Sequence, residues 1–300
     1  MGANMQKSLI SLQKNYRNPP MIGAAFAALI MLAPIIMGGH FYLIFFSLGG
    51  LVIVGGGVIT VAFMSFDAAD VKKALDTVAQ MFKKNQAPPK SLENDVSAII
   101  YCARLLVDKK GMRNLEGVIS QSGIRDPFLK YGLNMALSDY APEDVRSMLE
   151  VAAESSYERD YVPVEILQAM TSHGPAFGMV GTLVGMVAML CNLGDNVADI
   201  GPDLAVAFLS TLYGVLSARM LYMPAAAKLK QEVDQRRFRN YLVTEGMVML
   251  VAKKSPMYVQ DRLNGFLRPE SRDFFDVTKP MPMPQAPLKA APPRVVMAAV

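Results

Sequence analysis

Aspartate, glutamate, lysine and arginine are missing from long stretches of this 300-residue chain. None occurs between Arg17 and Asp67, between Glu165 and Asp195, or between Asp203 and Arg219, and the last gap resumes from Met220 to Ala227. Tryptophan is absent, and there are two histidines and two cysteines. His40 and His173 stand at the ends of different apolar runs, which excludes a histidine-based catalytic cluster. Cys102 and Cys191 fall in different parts of the chain, so neither a disulfide framework nor a thiolate metal site is expected. Gly55-Gly56-Gly57 in LVIVGGGVITV is not followed by Lys-Ser/Thr, which excludes a phosphate-binding loop. Alternating strand patterns are also wanting. An enzyme is not expected, and no cofactor is implied.

What is present is apolar length. Hydrophobic residues make up 52% of the chain, and they are concentrated in the charge-free runs. A helix crosses ~30 Å of hydrocarbon with about 20 mainly apolar residues. The first run is long enough for two crossings, broken at Gly38-Gly39-His40. We therefore expect an all-α polytopic membrane protein with four transmembrane helices, at 21–38, 41–65, 173–193 and 202–224. The first follows a polar segment and leads straight into another apolar run, unlike a cleaved signal peptide.

The basic residues set the orientation. Lys7, Lys14 and Arg17 precede the first span, thirteen Lys or Arg lie in 66–170, and thirteen more follow Ala227. The short loops 39–40 and 194–201 have none. By the positive-inside rule both termini and the central insert are cytoplasmic. Arg219 sits near the inner end of the last span, where its side chain can snorkel. The net charge of +4 reflects this asymmetry and does not point to nucleic acid.

The expected organisation is a cytoplasmic segment at 1–20 and a first membrane hairpin at 21–65. A helical cytoplasmic domain at 66–170 leads to a second hairpin at 171–226. A cytoplasmic helix at 227–266 and a disordered proline-rich tail at 267–300 follow. Val71, Leu75, Val78 and Phe82 continue the second span as an amphipathic helix, and the helix begun at Pro142 can run on toward the third span.

The stretch GPAFGMVGTLVGMVAMLCNL in the third span is rich in residues that weaken helices. Gly174, Gly178, Gly181 and Gly185 fall within about 60° of one another on a helical wheel, forming one groove. Such small-residue stripes allow close helix approach in lipid. Pro175 removes the donor from the Thr171 carbonyl, and Thr182 offers a hydroxyl on the margin of the groove. That hydroxyl can bond back to the Gly178 carbonyl, or line a wet path for a cation. In PDLAVAFLSTLYGVLSARMLYMP, Ser210 and Thr211 lie mid-span, Gly214 continues a small-residue face, and Pro224 closes the span at the depth of Pro175.

Apart from Asp203 at the outer end of the fourth, no span contains Asp, Glu or Lys, whereas ion-coupled machines place an ionisable group in the membrane. If this chain conducts ions, the titrating carboxylate belongs to another protein. The glycine groove is then expected to receive that partner's helix.

The runs GPAFGMVGTLVGMVAML and IGPDLAVAFLSTLYGVLSARMLYMPAAAKL resemble the third and fourth spans of the flagellar stator protein A family (MotA), within the MotA/TolQ/ExbB superfamily. LVIVGGGVITVAFMSF and PEDVRSMLE fit the same family, and the resemblance covers about residues 20–255. It implies five copies of this chain around two copies of a partner, stator protein B, whose single span carries the essential aspartate. Inward flow of H+ or Na+ would then drive torque on the flagellar rotor switch protein. On that resemblance Pro175 and Pro224 match two functional prolines, and Thr182, Ser210 and Thr211 match positions facing the partner's aspartate.

In VDKKGMRNLEGVI, Glu116 matches an acidic rotor-contact position. Asp108 replaces the family's basic one, and Lys109, Lys110 and Arg113 can supply that charge. Three hydroxyls favour sodium slightly over the proton. The rival reading is a TolQ/ExbB-like energiser of the envelope.

Overall fold

The computed structural model describes residues 47–81, 92–107, 126–138, 140–192 and 200–267. The expected first span, the start of the second, the run bearing Lys109, Lys110, Arg113 and Glu116, and the tail beyond Leu267 lie outside the described residues. Among the described residues every regular element is a helix. They are α1 Leu48–Ser65, α2 Ala68–Met81, α3 Leu92–Val107, α4 Pro127–Leu137, α5 Pro142–Asn192, α6 Ile200–Val251 and α7 Pro256–Asn264. Helices α1, α5 and α6 are long and apolar enough to cross a membrane.

The second span, expected from residue 41, becomes helical at Leu48 in the described part of the chain. Ser47 is the reason. It takes an extended conformation (φ −115°, ψ 112°), and its side chain caps the helix by accepting from the Gly50 N–H. A serine in this position satisfies a donor that has no partner within the helix. The Ser47 N–H in turn donates to the Tyr213 hydroxyl of α6 at 2.9 Å, which ties the start of α1 to the last span. A π-helical turn follows at Val52–Gly56. The Gly55-Gly56-Gly57 run thus sits where the helix widens, and Gly57 packs directly on the Phe177 ring of α5.

The third and fourth spans are parts of much longer rods. Helix α5 has 51 residues, about 77 Å at 1.5 Å per residue, far more than a bilayer needs. It runs unbroken through Pro163 and Pro175. Helix α6 has 52 residues, and Pro224 does not end it. A π-helical turn at Ser217–Tyr222 precedes that proline. Such a turn changes the hydrogen-bond register just where a proline has no N–H to give, so the rod continues into the polar Lys228–Val251 stretch.

The chain divides into two compact units, Met1–Gln86 with Asp160–Val233, and Ala87–Arg159 with Asp234–Val300. The C-terminal helical segment therefore shares a unit with most of the central insert, where the sequence suggested a separate element.

In the first unit, Val58 and Ala62 of α1, Val71 and Ala74 of α2, Ile166, Leu167 and Met170 of α5, and Ala225 and Ala226 of α6 form one core. The second unit is built around Ile99 and Ala103 of α3, Leu133 of α4, Leu149 of α5, Leu242 and Met247 of α6 and Leu263 of α7. Fully burying such side chains contributes about 1.5–3 kcal/mol each.

Charge is also buried in the second unit. The Arg239 guanidinium donates to both oxygens of Asp95 and to Asp126 Oδ2 at 2.5 Å, with all three side chains 10–13% exposed. Asp126 also caps α4, its Oδ1 accepting from the Phe128 N–H at 2.9 Å. Burial alone would lower the Arg239 pKa, but the two carboxylates outweigh it and raise it. Nearby, Arg146 donates to Glu245 Oε1 at 2.6 Å and holds that carboxyl below the usual carboxylate range. Burial pushes the Cys102 thiol up to about 12, which leaves it protonated and unreactive at neutral pH.

Candidate functional site

The second membrane hairpin brings α5 and α6 together along the glycine stripe. A Cβ added at Gly174 would lie 2.8 Å from the Gly214 carbonyl oxygen, and one at Gly178 would lie 3.1 Å from Thr211 Cα. At Gly185 the added atom would meet Ala207 backbone nitrogen at 2.7 Å. From the other side, a Cβ at Gly214 would reach 2.5 Å from the Gly174 carbonyl. Only glycine allows backbones this close, because any side chain would have to occupy space already held by main-chain atoms.

This geometry corrects one expectation. The groove of Gly174, Gly178, Gly181 and Gly185 is filled by the chain's own α6, so it is not open to a partner's helix. The stripe alone could not reveal this, since a close-packed helix leaves the same pattern whichever chain supplies it.

The three hydroxyls separate. Ser210 is fully buried, and its Oγ donates to the Val206 carbonyl at 2.7 Å. It sits against both Gly181 of α5 and Gly50 of α1. Ser210 thus serves helix packing and does not share the open edge expected for it. The physical reason is the turn of the helix: neighbouring residues point about 100° apart, so Ser210 and Thr211 cannot face the same way.

Thr211 is exposed and Thr182 half-buried, and their hydroxyl oxygens are 2.5 Å apart. Thr182 Oγ1 also lies 3.0 Å from the Gly178 carbonyl and 3.3 Å from the Ala207 carbonyl. Thr211 Oγ1 is 3.3 Å from the Gly178 carbonyl as well. Two hydroxyls and two carbonyls therefore converge at one edge of the helix pair. Each hydroxyl has one proton and two acceptor lone pairs. The cluster can satisfy its own donors and still present oxygen lone pairs outward.

That edge is flanked by exposed apolar side chains, including Met179 (62% exposed) and Leu183 (61%) on α5 and Phe208 (66%) on α6. The hairpin is closed at the far end from Pro224 by Asn192, whose Nδ2 donates to Asp203 Oδ2 at 2.6 Å. Sequence reasoning missed this clasp, as it missed the Ser47–Tyr213 bond and Pro163. A polar residue beside each end of a short loop was the available signal for the first of these.

Pro175 and Pro224 are both half-buried within continuous helix. Pro175 leaves the Thr171 carbonyl without its helical donor, while Thr171 Oγ1 bonds back to Leu167 at 2.8 Å. Among the described residues, no group of three or more His, Cys, Asp or Glu side chains is placed to hold a metal ion.

Residues 120–239 match the model of the MotA/TolQ/ExbB proton channel family. The chain is 32% identical to the uncharacterized protein YtxD of Bacillus subtilis, over 81% of this chain and 87% of that protein. It is 29% identical to motility protein A of Borreliella burgdorferi, over 76% and 85% of the two chains. Against the chemotaxis protein PomA of Vibrio alginolyticus the identity is 30%, over 83% and 93%. Its fold matches a chain of the flagellar MotAB stator complex from Bacillus subtilis with a TM-score of 0.71, at 24% identity, covering 84% of this chain and 96% of that one. The glycine-packed hairpin thus sits inside a likeness that spans nearly whole proteins, and the chain belongs to the MotA/TolQ/ExbB proton channel family as a MotA-type member.

Proposed function

We propose that this chain is the ion-conducting subunit of a flagellar motor stator in a bacterial inner membrane, both termini cytoplasmic. Five copies surround two copies of a stator protein B, whose membrane aspartate carries the cation. Inward flow of H+ or Na+ past that aspartate turns the ring, and the charges of Lys109, Lys110, Arg113 and Glu116 pass the force to the rotor switch protein. The relatives named for motility and chemotaxis favour this reading over a TolQ/ExbB-like energiser.

The observation that carries the proposal is the Thr182–Thr211 hydroxyl pair at the open edge of the hairpin. It is a cluster of oxygens in an otherwise apolar surface, with no carboxylate in any charge-free run of the chain. Oxygens without a titrating group suit a surface that hands a cation to and from a partner's carboxylate. The partner's helix then meets the exposed side holding Met179, Leu183 and Phe208, because the glycine groove is already occupied. Pro175 and Pro224 weaken the helices on either side of this edge, where conformational steps must occur.

With Ser210 withdrawn into helix packing, two hydroxyls remain at the edge instead of three. The preference for sodium drawn from the trio is correspondingly smaller. Swimming speed measured against external sodium at fixed pH decides between the ions.

Thr211→Val keeps the shape of the side chain and removes its hydroxyl. Motility is expected to fall at least about tenfold, the effect of roughly 1.4 kcal/mol on a transfer barrier, with the level of assembled complex unchanged. Swimming at the parent's speed would sink the proposal.

A further inference from the structure

Residues 108–125 carry Lys109, Lys110, Arg113 and Glu116, and in sequence they join two helices of the second unit. The chain enters them from α3, which ends at Val107, and leaves them at Asp126, the N-cap of α4. Both flanks are held by one guanidinium. Arg239 of α6 donates through Nε and Nη2 to the two oxygens of Asp95, in the first turn of α3. Through Nη1 it donates to Asp126 Oδ2 at 2.5 Å. Asp126 uses its other oxygen on α4, accepting from the Phe128 and Leu129 N–H groups at 2.9 and 3.2 Å. It is thereby fixed against two helices at once.

Hydrophobic packing already holds these helices together, with Ile99, Leu133, Leu242 and Met247 buried in one core. A buried ion pair adds little stability beyond what apolar side chains of similar volume would give. What the guanidinium adds is direction. Its planar fork of N–H groups accepts carboxylates at set positions, whereas an apolar contact tolerates a slide. Another ion pair of this unit, Arg146 with Glu245 at 2.6 Å, links α5 to α6 instead. We propose that Arg239 is a positioning residue for torque transfer, seating on α6 both flanks of the segment that meets the rotor. The inference rests on the stator reading, in which α6 is also the helix that carries Thr211 and Pro224.

The test compares cation flux in proteoliposomes with torque in tethered cells, using the complex of this chain with its partner. Asp126→Asn keeps a side-chain oxygen to cap α4 and removes the charge that meets Arg239. Flux is expected to match the parent. Torque is expected to fall at least about threefold, since a hydrogen bond to a charged group holds a position by a factor of about ten or more. Arg239→Lys keeps a charge but not the fork, and is expected to lower torque with flux intact. Glu245→Gln breaks the other pair and is expected to leave both at the parent's level. Torque at the parent's level in Asp126→Asn would overturn the proposal. So would a parallel loss of flux and torque, or an equal loss of torque in Glu245→Gln. If Asp126→Asn yields no complex, Arg239→Lys decides: an assembled complex with the parent's torque refutes the positioning role. Failure of both variants to assemble refutes it too, showing a role in folding alone. A parent complex that carries no cation refutes the stator reading itself, before any variant is compared.

Discussion

Replacing Gly214 with valine is expected to abolish motility and to lower the yield of assembled complex. The first atom of any side chain there would lie 2.5 Å from the Gly174 carbonyl oxygen and 3.0 Å from Gly178 Cα. Both obstacles are backbone, so neither can rotate away, and α5 and α6 must separate. Overpacking of this kind costs about 1–3 kcal/mol even where side chains can adjust. Separation would also draw Thr182 and Thr211 apart, so an assembled fraction would still lack the oxygen cluster. Gly55→Ala is the control, because nothing lies within 4 Å of a Cβ added at Gly55. Soft-agar swimming and the melting temperature of the purified complex read both effects. A Gly214→Val protein that swims like the parent would refute the packing argument.

Arg239→Leu is expected to destabilise the second unit by about 3–5 kcal/mol, the cost of leaving a buried charge without its partner. Here two carboxylates are affected, since Asp95 and Asp126 both accept from the same guanidinium. The Arg239 pKa is raised by these carboxylates, so the residue is charged at every physiological pH. Asp126 would keep its cap on α4 while losing its bond to Arg239. Adding Asp95→Leu removes one orphaned carboxylate and is expected to restore part of the loss, because an apolar replacement of a buried ion pair is often neutral or better. Thermal melting of the complex in detergent reads the cycle. Equal melting temperatures for the parent and Arg239→Leu would show that the triad contributes nothing.

The membrane runs were legible because they are defined by charge that is missing over tens of residues, a signal that survives any local detail. The glycine stripe was legible for the same kind of reason: a spacing of three and four admits one close helix contact. Its partner was not, because the stripe records how near a neighbour comes and not which chain the neighbour belongs to. Ser210 and Thr211 show the limit at single-residue scale. Adjacent hydroxyls look equivalent in sequence, and the choice between them was made by Gly50 and Gly181, which leave room for Ser210 alone.

The prolines misled in the other direction. Pro224 suggests an end, yet a π-helical turn at Ser217–Tyr222 lets the rod continue. Nothing in the spacing of Asp95, Asp126 and Arg239 connects them, since up to 144 residues separate the members. Their meeting is a property of the packed helices and not of any segment.

The central claim is that the membrane part of this chain is an uncharged surface, with the acid that handles the ion supplied from elsewhere. Cation flux into proteoliposomes tests it most directly, comparing this chain alone with the chain co-reconstituted with its partner. The account predicts background flux for the chain alone. It predicts measurable flux for the complex, lost when the partner's membrane carboxylate is replaced by an amide. A robust cation current through the chain alone would contradict it.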